Sequence, residues 1–237
     1  MNCLIDQGNT KTKIYFIEEE KIVQSYAFFN EEEQNIQLVL QSSVFKQGIY
    51  SSSSSIPDFI KEEQFLILTK DTPIPINLNY HTPETLGTDR IALAVGANYL
   101  FPNRSSLILS AGTCITIDLI DKEGVFQGGI ITLGLDMRRK ALHNQTANLP
   151  LIEQQKPTHI PLVGKTTLES MESGVFNGAL NEISATIERF KAIYHDLTVI
   201  ITGGDAYLFE FHLKNEIFAQ QNLQAIGLNR ILLYNAD

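Results

Sequence analysis

Cysteine is nearly absent from the 237-residue chain: only Cys3 and Cys114 occur, and neither stands in a Cys-x-x-Cys or Cys/His pattern. That scarcity argues against a disulfide framework and a structural zinc site, and it fits a reducing compartment. A basic excess is missing too. With 18 Lys and Arg against 27 Asp and Glu, the formal charge is -9, and no Lys/Arg cluster stands ready to neutralise a nucleic-acid backbone. No apolar run reaches the roughly 20 residues of a membrane-spanning helix. The first residues, Met1 to Gly8, lack the basic segment and long apolar stretch of a secretory signal. The expectation is a cytoplasmic protein with no nucleic-acid or membrane partner. His81, His143, His159, His195 and His212 are scattered, without metal or Ser/His/Asp spacing, and no catalytic role is expected of them.

What is present is enough apolar residue, 43%, for one large domain or two of roughly 100 to 120 residues. A short strand ending near Asp6, a Gly8-Asn9-Thr10 turn, a strand over Lys13 to Phe16, a charged turn at Glu18 to Lys21 and a strand over Ile22 to Phe28 form an antiparallel meander. The plan returns later. Strands over Ser106 to Leu109, Cys114 to Ile120 and Val125 to Ile131 flank the turns Ala111-Gly112-Thr113 and Asp121 to Gly124. Superimposing the two plans sets Gly8 on Gly112 and Asp6 on Ser110, which implies two similar α/β domains, 1–103 and 104–237. The join falls at Phe101 to Arg104, where Pro102 stops the helical pattern of Asp89 to Leu100. Further helices are expected over Leu135 to Ala147 and Leu168 to Tyr194, with Gly174 and Gly178 read as close backbone contacts. The Ser51 to Ser55 run, between apolar neighbours, reads as a strand end and turn. A strand over Leu197 to Ile201 opens through Thr202-Gly203-Gly204-Asp205 onto a helix, in which the Phe and Leu residues of Tyr207 to Leu213 read as core packing.

Three glycine turns, each after a strand, suggest a nucleotide site. Asp6-x-Gly8-Asn9-Thr10-x-x-Lys13 joins a carboxylate, exposed N–H groups, a hydroxyl and a cation, the set that places Mg²⁺ against a polyphosphate; read alone it is also a plain hairpin. Gly112 and Thr113 offer matching groups to the β- and γ-phosphates, and two such turns would make a clamp. Gly203 and Gly204, lacking Cβ atoms, would let adenine approach the backbone. Asp118 on the outgoing strand either faces the cleft or sits at a sheet edge or turn. Leu86-Gly87-Thr88-Asp89-Arg90 opens a helix, so Asp89 is either an ordinary first-turn carboxylate or a base for an acceptor hydroxyl, with Arg90 beside it for an acidic group.

In this order, these segments resemble type III pantothenate kinase, of the sugar kinase, heat-shock ATPase and actin superfamily, over most of the chain. The resemblance implies two ribonuclease-H-like (actin-like ATPase) domains, mixed sheets flanked by helices, and phosphorylation of pantothenate by ATP with Mg²⁺ and K⁺ or NH₄⁺. Asp6 to Lys13 is similar to the family's first phosphate motif, Ala111 to Thr113 to its second, and Thr202 to Gly204 to its adenosine motif. Gly87 to Arg90 is similar to the pantothenate-holding Gly-x-Asp-Arg, with Asp89 as proton acceptor. By the same resemblance Tyr80 faces substrate, and Thr167 reaches pantothenate across the interface of a homodimer, for which Gly174 and Gly178 offer a seam. Gly128 to Ile130, Gly134 to Arg138, Ala141-Leu142 and Leu149-Pro150 match the family's middle segment. Ser110 departs from it: the family usually has Asp there, associated with the monovalent cation, and a neutral hydroxyl should hold that ion less well. The departure supports a second reading, a nucleotide-binding regulator without turnover; a third, a kinase of the same architecture for another small hydroxyl metabolite, is opposed by Tyr80 and Thr167 through the resemblance alone.

Overall fold

A computed structural model describes residues 1–52, 55–152, 160–213 and 217–236. His159 and the centre of the Ser51 to Ser55 run lie outside the described residues. The elements, in chain order, are β1 (Asn2–Gln7), β2 (Lys11–Glu18), β3 (Lys21–Phe29), α1 (Glu33–Ser42), β4 (Gln47–Ser52), β5 (Phe65–Ile67), β6 (Asn77–Leu78), α2 (Thr88–Leu100), β7 (Ser106–Ala111), β8 (Cys114–Ile120), β9 (Val125–Leu133), α3 (Leu135–Asn144), α4 (Thr167–Lys191), β10 (Thr198–Thr202), α5 (Ala206–Leu213), β11 (Phe218–Ala219) and α6 (Leu223–Tyr234). They form two compact units, one of Met1–Arg104, Leu119–Gly128 and Asn222–Asp237, the other of Ser105–Asp118 and Gly129–Gln221.

The first unit holds a mixed sheet in the order β3-β2-β1-β4-β5. Its antiparallel half is the meander, and β4 runs parallel to β1. Cys3, Leu4 and Ile5 are all buried, as expected of a strand covered on both faces. Because side chains alternate, Cys3 and Ile5 join Ile14, Phe16, Tyr50 and Phe65 in a core closed by Ile36 of α1. Leu4 and Asp6 take the opposite face, where α6 packs on β1. Burying a side chain such as Leu4 contributes about 1.5–3 kcal/mol.

The pairing of α2 with α6 depends on glycine. A Cβ at Gly227 would lie 1.7 Å from the Ala92 carbonyl oxygen, and one at Gly96 would lie 2.6 Å from that of Leu223. This contact returns the end of the chain to the first unit, so the units are not the consecutive stretches 1–103 and 104–237. The segment Leu119–Gly128 returns as well, and there β6 pairs parallel with the start of β9.

In the second unit β11, β10 and β7 are parallel neighbours, followed in the sheet by β8 and β9. The long helix α4 buries Met171, Val175, Ala179, Ile183 and Ile187 at helical spacing, and Phe176 stacks on Phe209 of α5 with centroids 5.6 Å apart. Two expectations are corrected here. Among the described residues, a Cβ at Gly174 or Gly178 would meet nothing within 4 Å, so neither marks a close backbone contact there. The Phe and Leu residues of Tyr207 to Leu213 are not all core: a short helix buries one stripe, Ala206, Phe209 and Leu213, and leaves Phe211 exposed.

Candidate active site

In the first unit, Asp6 stands at the carboxyl end of β1, where the parallel strands β1 and β4 finish together and Asp6 pairs with Ser51. Ligands of α/β sheets gather at such ends. Its antiparallel partner is Lys13, whose charge favours the Asp6 carboxylate, and Gln224 of α6 donates from Nε2 to Asp6 Oδ1 at 3.4 Å. Burial outweighs both and, with a further push from the Asp89 charge, moves the Asp6 carboxyl up to about 6. Beyond Asp6 the chain turns with a 3.0 Å bond from Gly8 N–H to the Lys11 carbonyl, leaving Asn9 and Thr10 exposed.

Helix α2 begins nearby. The Ser51 hydroxyl lies 3.1 Å from that of Thr88, the first residue of α2, and Asp89 follows in the first turn, exposed. Gly87 precedes it at the N-cap, where a Cβ would stand 2.4 Å from Asp89 Oδ1, so glycine leaves room for that carboxylate to fold back over the helix start. Arg90 points inward, buried, with its guanidinium 5.8 Å from the Tyr80 ring centroid and 5.7 Å from that of Phe126. The first unit thus gathers Asp6, Lys13, Thr88 and Asp89, with Gly8, Asn9 and Thr10 on the adjoining turn and Arg90 and Tyr80 on the inner side of the helix.

In the second unit, Gly112 N–H donates to the Cys114 carbonyl at 3.0 Å, closing the turn that carries Thr113. Two glycines pack against it. Gly203 has φ +100, a conformation natural only to glycine, and a Cβ there would lie 2.2 Å from the Ala111 carbonyl oxygen; that oxygen also accepts from Asp205 N–H at 3.0 Å. A Cβ at Gly134, the N-cap of α3, would lie 2.2 Å from the Gly112 carbonyl oxygen. The Gly112-Thr113 turn, the Gly203-Gly204 turn and the start of α3 are therefore assembled backbone to backbone. Ser110 pairs with Thr202 just behind them.

Sequence reasoning missed the charged cluster beside these turns. Buried Arg139 donates from Nε and Nη2 to both Glu172 carboxylate oxygens at 2.9 and 3.0 Å, and from Nη1 to Asp136 at 2.9 Å. Burial works against its charge, and these acidic partners more than reverse the effect. Asp205 is pushed up by burial and by the Asp136 charge, with Arg139 opposing. The spacing of Asp136 and Arg139, three apart at a helix start, was the available signal. Asp118 is fully buried, with the Gly129 backbone over its Oδ1, so it occupies neither an open edge nor a turn. Thr167 is the first residue of α4. Its helix starts with a capping arrangement in which the Thr166 side chain accepts from Glu169 N–H at 3.2 Å and the Glu169 carboxylate accepts from Lys165 N–H at 2.7 Å. Exposed Thr167 lines a groove of about 1070 Å³ with Leu133, Ala141, Leu142, Met171 and Val175. No helix among the described residues is long and apolar enough to cross a membrane.

A solved activator of the 2-hydroxyisocaproyl-CoA dehydratase from Clostridium difficile, with bound ADPNP, superposes with a TM-score of 0.56 over 99% of this chain and 94% of its own, at 14% identity. The fold is the α/β fold of sugar kinases and actin-like ATPases, with two mixed sheets flanked by helices. The type III pantothenate kinase family model matches residues 24–189. The type III pantothenate kinase of Cytophaga hutchinsonii is 42% identical over 99% of this chain and all of its own, and that of Christiangramia forsetii 38% identical over 99% of each. With likeness of that depth along nearly its whole length, the chain belongs to the type III pantothenate kinase family.

Proposed function

We propose that the chain phosphorylates pantothenate with ATP to give 4'-phosphopantothenate, the first step of coenzyme A synthesis, in the cytoplasm. The observation that carries the reading is in the first unit: an exposed carboxylate, Asp89, held over Gly87 at a helix start and near enough to Asp6 for its charge to act there. The acceptor hydroxyl attacks the terminal phosphorus, the new O–P bond forms as the bond to the ADP oxygen breaks, and the hydroxyl proton passes to an Asp89 carboxylate oxygen. In a loose phosphoryl-transfer transition state the proton leaves late, so the hydroxyl needs no strong base.

The other roles follow the chemistry of each group. Gly8, Asn9, Thr10 and Lys13 in one unit, and Gly112 and Thr113 in the other, meet phosphate oxygens, while Gly203 and Gly204 give adenine a surface without Cβ atoms. Tyr80, Gly87, Thr88 and Arg90 bind the acceptor. Asp6 fits Mg²⁺, because a carboxylate that burial makes costly to ionise gains from a divalent neighbour. The metal, when bound, supplies charge neutralisation of the polyphosphate. Ser110 fits a monovalent cation less well, since the pair it forms with Thr202 offers neutral oxygens only. A homodimer, with Thr167 serving the partner's site, is supported by the groove at α4 and by exposed Leu162, Val163 and Leu168 near it.

The test is formation of phosphopantothenate from ATP, Mg²⁺ and K⁺ or NH₄⁺. Asp89→Asn should lower kcat by about 10²- to 10⁴-fold with the KM for ATP unchanged. No product under any cation refutes the proposal, and nucleotide binding by calorimetry without turnover would favour the regulator, for which the neutral Ser110 speaks.

A further inference from the structure

Asn30, just beyond β3, makes three bonds at the phosphate turn. Its side-chain Nδ2 donates to the Gly8 carbonyl at 2.9 Å, its Oδ1 accepts from the Thr12 hydroxyl at 2.9 Å, and its backbone N–H donates to the Thr10 carbonyl at 3.2 Å. Thr12 is buried, only 2% exposed, and its hydroxyl is engaged by Asn30. Its hydroxyl donates to Oδ1 and thereby fixes which end of the Asn30 amide faces Gly8.

The consequence is set by peptide geometry. In a planar trans peptide the C=O and the following N–H point in opposite directions. Holding the Gly8 carbonyl toward Asn30 therefore aims the Asn9 N–H to the other side, and holding the Thr10 carbonyl does the same for the Lys11 N–H. Carbonyl oxygens and phosphate oxygens repel one another, whereas N–H groups and phosphates attract, so a turn that can rotate its peptides loses affinity for an anion.

We infer that Asn30, oriented by Thr12, is a positioning residue that presets the Gly8–Lys11 turn to bind the phosphates of ATP. The inference rests on the reading of that turn as a phosphate site. Neither residue touches substrate; both act through the peptides between Gly8 and Lys11.

Steady-state kinetics on the full chain, with calorimetry of ATP binding, tests this. Asn30→Ala should raise the KM and Kd for ATP by about 5- to 10-fold, the value of one orienting hydrogen bond, and leave the KM for pantothenate unchanged. Thr12→Val should raise them by a smaller factor, Thr12→Ser should restore them, and Asn30→Ala/Thr12→Val should match Asn30→Ala alone because the effects share one path. A purely structural contribution would lower the active fraction, and so the apparent kcat, while leaving both KM values in place; that result overturns the inference. If Asn30→Ala does not fold, the Thr12→Val and Thr12→Ser pair decides alone: an unchanged ATP KM in Thr12→Val overturns it. A wild-type chain that makes no phosphopantothenate refutes the proposed function instead, and the Kd for ATP then tests the turn by itself.

Discussion

Replacing Asp6 with Asn should make the nucleotide-free protein more stable and catalytically inert. The folded carboxyl sits at about 6, against an ordinary value of 3.8, chiefly because of burial and then, opposing Lys13, because of Asp89. Its affinity for a proton is thus higher folded than unfolded, and stability falls as pH rises through that window. The contribution is fully present below 3.8 and lost above about 6, where the fold carries the whole cost of the charge. At about 1.4 kcal/mol per pH unit the gap comes to ~3 kcal/mol, a ceiling because Asp6 is only partly buried by surface area. For a chain of this size that corresponds to about 6–12 °C in Tm at most. Asn keeps an oxygen to accept from Gln224, so the local bond survives. Thermal melts of wild type and Asp6→Asn from pH 4 to pH 8 should show an advantage for the variant that is small at pH 4, grows with pH and levels off above about 6.5. Phosphopantothenate formation should be abolished. An advantage independent of pH, or a wild type more stable at pH 8, refutes the reasoning.

Two further outcomes test other parts of the molecule. Gly227→Ala should destabilise by about 1–3 kcal/mol, read as a lowered Tm, since its Cβ would meet the Ala92 carbonyl oxygen at 1.7 Å and α6 must shift away from α2. Ser110→Asp should lower the K⁺ or NH₄⁺ concentration for half-maximal activity by about 10-fold, because a charge replaces a neutral hydroxyl; a titration of rate against cation checks it.

The parts of the fold legible in the sequence were those fixed by neighbours along the chain. The meander from β1 to β3 shows in alternating apolar residues and short turns, and Gly87 to Arg90 shows as a helix start. Contacts between distant segments left fainter marks. Gly96 and Gly227 are separate glycines in two helices until the helices meet, so the return of α6 to the first unit was not visible. Asn30 looks like an ordinary turn residue until strand register sets it beside Gly8 and Thr12. Tyr207 and Phe211 share a run with Phe209 and Leu213, and composition cannot tell which stripe of a short helix faces inward. The Arg139 cluster draws on α3 and α4, so its carboxylates become partners only after packing.

The closing of α6 over α2 and β1 sets an order on biosynthesis. A ribosome releases β1, β4 and α2 long before it releases Leu223 to Tyr234, and the surfaces of Leu4 and α2 that α6 covers must wait. The unit whose residues emerge first is therefore completed last, and its unfinished apolar face is the one a chaperone would meet on the nascent chain.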